Sequence, residues 1–222
     1  MIGTYALGLL GCNDEVVFNE EEGKFFVKSP PESHEVLPDI AGDKFHQLLE
    51  FCKGCCDVAS LDLSQLAGSE LGINYACGSH LHEFLQESRY LRFRKLYRKS
   101  WFCTYYDEVR DPAYGYAFDG YFQVLLYRFN GQFIDILKRY FDSLFLRGHN
   151  SGEKYTAAYP LENLCFFKND KLFMGTLSHE YIAKAYIDTE EELDGLISCA
   201  PEHCEWYYTT ENRGDSRDYI IL

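Results

Sequence analysis

The sequence predicts an α+β protein, with antiparallel sheet elements at both ends and a helical middle. Three observations carry this. Hairpin patterns stand near each end, at 15–29 and 163–178. A long run between 122 and 144 repeats apolar residues at three- and four-residue steps, the period of a helix face. Strand-like and helix-like stretches do not alternate regularly, which argues against a parallel βαβ sheet.

Taken in order, "EVVFNEEEGKFFVKS" (15–29) reads as a hairpin: two β-rich runs flank an acidic turn closed by Gly23. "SPPESHEVLPD" (29–39) is a proline-punctuated loop. Asp43 is placed to cap a helix reaching Cys56, with Phe45, Leu48, Leu49, Cys52 and Cys56 on its apolar face. "SLDLSQLAGSELG" (60–72) reads as a short helix or turn. From Ser79 the chain is helical at first, with Leu81, Phe84, Leu85 and Ser88 on one side, and turns basic before Arg98. "WFCTYYDEV" (101–109) reads as a strand and "RDPAYGYAFDG" (110–120) as a loop.

The helical run at 122–144 is interrupted by Asn130-Gly131, and its first piece, "YFQVLLYRF", is alternatively a strand. In the second hairpin, Asn169-Asp170 separates two apolar runs. Thr189 followed by Glu192 is a capping-box pattern, opening a helix to about Ser198. "CEWYYTT" and "DYIIL" read as closing strands. The whole of 1–222 is expected to form one domain, with 148–155 the best candidate boundary.

With 222 residues and 46% hydrophobic content the chain can bury a core, and 17% aromatics leaves rings for a binding surface as well. The net charge of −14 argues against non-specific binding to nucleic acid or anionic membrane, because phosphate backbones reward Lys and Arg. The charge is uneven: −7 over 1–43, +1 over 44–149 and −8 over 150–222. "MIGTYALGLLGCNDEVV" lacks a basic n-region, and glycines break its apolar run, so no export signal or spanning helix is expected. Nine cysteines, an odd number, without such a signal read as reduced thiols in the cytoplasm.

"FCKGCCDV" (51–58) and "CGSHLHEF" (77–84) together raise a metal site. Thiolates of Cys52 and Cys55 with Cys77, His80 or His82 would supply four borderline ligands. Against this, no second C-x-x-C pair exists, and Cys52 and Cys56 continue the leucine stripe of a helix. Free cysteine packs as a small hydrophobe, so packing is the expected role. Cys199, His203 and Cys204 form half of a similar pattern with no partner half.

"RYLRFRKLYRK" (89–99) gathers Arg89, Arg92, Arg94, Lys95, Arg98 and Lys99 among aromatics, with no acid. It would suit a phosphate, nucleotide or nucleic-acid track; at this net charge, pairing with the chain's own acidic ends or a solvated face fits better. His179 beside Glu180 would be a base and its partner, but adjacent strand residues point to opposite faces. "RGD" (213–215) is a turn in an unexported chain. The phosphate-loop, dinucleotide and nucleophile-elbow signatures are absent, so no cofactor and no catalytic residue is assigned.

"NLCFFKNDKLFMGTLSHEYIAKAYIDTEEEL" (163–193) resembles a hairpin-and-helix segment of bacterial immunity proteins. That resemblance implies a small cytoplasmic inhibitor, often acidic, that binds and occludes a basic toxin or effector domain. Acidic groups speed such an encounter and aromatic anchors hold it. The candidate contact residues are Glu20, Glu21 and Glu22 at the first hairpin turn; Glu190, Glu191, Glu192 and Asp194 on the late helix; and Tyr207 and Tyr208. The alternative is a metal-binding protein or enzyme built on the Cys/His groups.

Overall fold

The computed structural model describes residues 2–9, 15–19, 24–28, 38–63, 78–99, 121–146, 161–178 and 181–209. Ten strands and four helices occur among them. In chain order these are β1 (Gly3–Leu9), β2 (Glu15–Asn19), β3 (Lys24–Lys28), α1 (Asp43–Cys55), β4 (Val58–Leu63), α2 (Gly78–Glu87), β5 (Arg92–Lys99) and β6 (Tyr121–Arg128). There follow α3 (Gly131–Tyr140), β7 (Leu161–Lys168), β8 (Lys171–Leu177), β9 (Ile182–Ile187), α4 (Glu190–Cys199) and β10 (Cys204–Thr209).

The α+β class holds, with more strand than a helical middle would leave. Eight strands form one sheet in the order β10-β1-β9-β8-β7-β4-β6-β5, antiparallel at every step. The middle of the chain is therefore part of the sheet. "SLDL" lies in β4 rather than a helix or turn, and the basic stretch from Arg92 is β5. In the first hairpin, β2 pairs antiparallel with β3, from Glu15↔Lys28 to Asn19↔Lys24.

"YFQVLLYRF" takes its alternative reading, a strand, as β6, whose burial explains its helix-like spacing. Val124 and Leu126 are buried in one cluster with Val58, Phe167 and Leu172, while Leu125 and Tyr127 are buried in the other, with Leu61 and Phe166. A strand covered on both faces is a continuous apolar run, and such a run carries no period of two. The helix starts only at Gly131, where Asn130 Oδ1 accepts from the Phe133 N–H at 3.0 Å. That cap contributes about 1 kcal/mol.

Helix α1 buries Phe45, Leu48, Leu49 and Cys52 of the stripe read from the sequence; Cys56, also buried, is the extended residue beyond the helix end. Its N-cap is Gly42, with φ 58°, not Asp43, which is the first helical residue. Positive φ is nearly free for glycine and costly for a residue with a Cβ. Helix α2 enters the core through Phe84, which meets Tyr127, Phe133, Tyr140 and Phe141 edge-on at ring distances of 5.5–6.4 Å. Tyr127 stacks on Phe133 at 4.7 Å. Such aromatic pairs add about 0.5–1.5 kcal/mol each beyond their burial.

The second hairpin is as read: Asn169 and Asp170 link β7 to β8, with φ of 50° and 62°, the positive pair that a type I′ turn demands. Farther along β7, Asn163 (φ 56°) is the extra residue where pairing with β4 shifts between Ser60 and Asp62. The readings made for 101–109, 110–120, the 148–155 boundary, His179 and "DYIIL" lie outside the described residues. Among the described residues, no helix is long and apolar enough to cross a membrane.

Candidate protein-binding site

The late acidic helix grows out of the sheet's end. β9 finishes at Ile187, opposite Gly3, and the Ile2 N–H donates to the Ile187 carbonyl at 2.7 Å. Thr189 then caps α4: its Oγ1 accepts from the Glu192 N–H at 3.2 Å, while Glu192 Oε2 accepts from the Asp188 and Thr189 N–H groups at 2.8 and 3.3 Å. This is the capping box expected from the sequence. Glu192 also pairs through Oε1 with Lys168 and is only 7% exposed. It is turned inward and is spent on holding α4 to the sheet.

The remaining acids of α4 face outward. Glu190, Glu191 and Asp194 are exposed, and none makes an ion pair among the described residues. Spacings of three and four place Asp194 one turn above the other two. The helix N-terminus favours their negative charge. The Glu191 carboxyl is held below its ordinary range by its own backbone N–H and by Thr189.

β10 brings tyrosine to the same end. Thr4 pairs with Thr209 and Gly3 with Ile187, so the start of β1 and the ends of β9 and β10 are level. Tyr208 pairs with Tyr5, and their rings meet edge-on at 5.8 Å. It lies on the side of Trp206, which is buried in the cluster that includes the helices. Tyr207 lies on the opposite face, over Gly8: a Cβ there would be 2.7 Å from its ring. Tyr208 covers Gly3 in the same way at 2.6 Å. Glycine lets each ring lie down on the strand beside it. The structure thus unites Glu190, Glu191, Asp194 and Tyr208 at one end of the helix-covered face, leaves Tyr207 across the sheet and withdraws Glu192. Ile2 and Ile197, 42% and 50% exposed, were not foreseen as part of this surface; exposed isoleucine carries no sequence signal of its own. Glu20, Glu21 and Glu22 lie outside the described residues.

The cysteines are dispersed in role. Cys52 is fully enclosed, and burial pushes its thiol well up. Cys55 and Cys56 follow at the end of α1. Cys77 and the His80 side chain lie outside the described residues, while His82 is exposed and bonds Gln86 within α2 at 2.6 Å. Cys199 donates to the Gly195 carbonyl at 3.2 Å and Cys204 points toward the Asp39 carbonyl at 3.9 Å, with His203 exposed between them in sequence. Among the described residues no three His, Cys, Asp or Glu side chains converge.

Arg89, Arg94 and Lys95 are exposed around the start of β5. A polar bracket with no local sequence signal ties β7 to β8 and β4. The Asn163 N–H donates to Ser178 Oγ at 2.9 Å, the Ser178 N–H to Asn163 Oδ1 at 3.0 Å, and Asn163 Nδ2 to Asp62 Oδ2 at 2.9 Å. All three residues are buried, so the bracket fixes the bulge and offers no open cleft. A hollow of about 120 Å³ beside the β7–β8 turn, walled by Lys168, Lys171, Tyr186 and Asp188, is far below the roughly 300–1,000 Å³ of ordinary small-molecule sites. No protein-family model, curated protein or solved structure matches the chain.

Proposed function

We propose that this chain is an acidic protein-binding protein, and that the first turn of α4 with Tyr208 is the centre of its contact surface. The observation that carries this reading is the set of exposed carboxylates Glu190, Glu191 and Asp194, without ion pairs among the described residues, at the sheet end where Tyr208 is 60% exposed. Unpaired acids steer a basic partner, and an aromatic ring beside them supplies contact energy once docked. The partner class is a basic effector or toxin domain, as for an immunity protein, and inhibition would be steric and electrostatic, with no bond made or broken. The structural reason for a helix terminus here is rigidity: the capping box and the Lys168–Glu192 pair fix the acids before the partner arrives.

The test is biolayer interferometry of the chain against purified basic effector domains, nuclease-type domains first, at low and high salt. Binding should weaken as salt rises. The triple substitution Glu190→Lys, Glu191→Lys, Asp194→Lys should slow association at least tenfold, and Tyr208→Ala should speed dissociation. Tight binding indifferent to both salt and the triple substitution would place the contact surface elsewhere.

A further inference from the structure

The thiol sulfurs of Cys55 and Cys56 lie 3.8 Å apart at the C-terminal end of α1. Neighbouring side chains on a regular helix or strand do not face each other. Here Cys55 ends the helix, and Cys56 is already extended, with φ −118° and ψ 148°; the change of backbone swings the second thiol round to the first. Cys56 is 6% exposed and Cys55 is half-buried. Cys55 Sγ also has the carbonyl oxygens of Phe51 and Cys52 at 3.5 Å.

The two sulfurs live in unlike surroundings. The hydrogen bond from Cys56 holds the Cys55 thiol below its ordinary value, with the Lys168 ammonium acting in the same direction and burial and the Glu192 carboxylate against it. Burial, first of all, pushes Cys56 up. Cys55 is the more accessible sulfur and the one shifted toward its ionised, nucleophilic form, while Cys56 is shifted toward the neutral thiol.

We propose that Cys55 and Cys56 form a reversible redox site, in which a hydroperoxide converts the two adjacent thiols to a disulfide. The Cys55 thiolate attacks the terminal peroxide oxygen, the O–O bond breaks, and Cys55 becomes a sulfenic acid. The Cys56 sulfur then attacks the Cys55 sulfur, an S–S bond forms, the S–O bond breaks, and water leaves with the Cys56 proton. Two thiols and one hydrogen peroxide give one disulfide and two waters; the sulfurs lose two electrons and the peroxide gains them.

Geometry also makes the product labile. Adjacent α-carbons are about 3.8 Å apart across a trans peptide, whereas ordinary disulfides span about 4.4–6.8 Å. A bond forced into the shorter span is strained, and strained disulfides are readily reduced. The site therefore suits a signal that is set and reset, not a permanent staple.

The test uses the reduced full-length protein, treated with hydrogen peroxide, alkylated under denaturing conditions, digested and analysed by mass spectrometry. The peptide containing both residues should be lighter by two hydrogen atoms and unalkylated at both, and dithiothreitol should restore alkylation. Cys55→Ser replaces the more exposed partner and spares the core; it should abolish the product and leave Cys56 fully alkylated. Full alkylation of both cysteines in the wild-type protein, a sulfenic acid persisting at Cys55, or a cross-link from either residue to Cys52 or Cys199 would each overturn the proposal.

Discussion

Gly195 of α4 lies so close to Phe51 of α1 that a β-carbon there would overlap the edge of the ring. Phe51 in turn leans on Phe173 of β8, ring centres 6.2 Å apart, which blocks its retreat on that side. A glycine inside a helix costs about 1 kcal/mol relative to alanine, and here the contact between the two helices takes precedence over that cost. Gly195→Ala is expected to destabilise by about 1–2 kcal/mol, because overpacking exceeds the gain in propensity. Urea unfolding should show the loss, and Phe51→Leu in the same chain should shrink it.

The Lys168–Glu192 pair links β7 to the first turn of α4, and it makes stability depend on pH in a stated direction. The hydrogen bond to Glu192 is the chief cause that raises the Lys168 pKa. A raised lysine stabilises the fold fully below its unfolded value of about 10.4. That contribution is lost as the pH rises through the folded value. Lys168→Met should lower stability across the neutral region, where the contribution is fully present, and flatten the alkaline limb, so that the two stability–pH curves converge above the folded value. Thr189→Ala, which removes only the cap, should cost about 1 kcal/mol at every pH.

Ser60 is fully buried in β4, and its hydroxyl has no hydrogen-bond partner. Leaving such a group unsatisfied costs about 1–3 kcal/mol. Ser60→Ala should therefore stabilise the protein by about 1 kcal/mol, read as a higher urea midpoint with an unchanged slope. A loss of stability would show that the hydroxyl is satisfied in solution.

Asp170 occupies the second central position of the β7–β8 turn at φ 62°, with one carboxylate oxygen buried and lacking a partner. Glycine adopts that conformation without strain. Asp170→Gly is expected to raise stability by about 0.5–1 kcal/mol, detectable as a higher melting temperature.

How much of this was legible follows from where each signal resides. The β7–β8 hairpin, the α1 stripe and the Thr189–Glu192 box are local chemistry, and each was read from a few neighbouring residues. Strand β6 was ambiguous because burial on both faces erases alternation. β5 mixes bases with bulky apolar residues in like pairs, and its register shifts between Arg92 and Arg94, so it carries no clean strand period. β1 was missed because its apolar run is cut by Gly3 and Gly8, which make sense only under Tyr208 and Tyr207, about two hundred residues away in sequence. The candidate surface was half legible: the capping box marks Glu192 as the acid bound to its own turn, but its pairing with Lys168 of β7 has no local signal.

β1 pairs with β9 on one side and β10 on the other, and these strands begin only at Ile182 and Cys204. During synthesis it leaves the ribosome before both of these neighbours and has neither until almost the whole described chain has followed. Its closure joins the most distant parts of the sequence, the kind of contact that slows folding. Through that wait, an apolar strand with two open edges is available to chaperones and to other nascent chains. The yield of folded protein should therefore be governed by how well β1 is shielded until β9 and β10 arrive, more than by the strength of the core it joins.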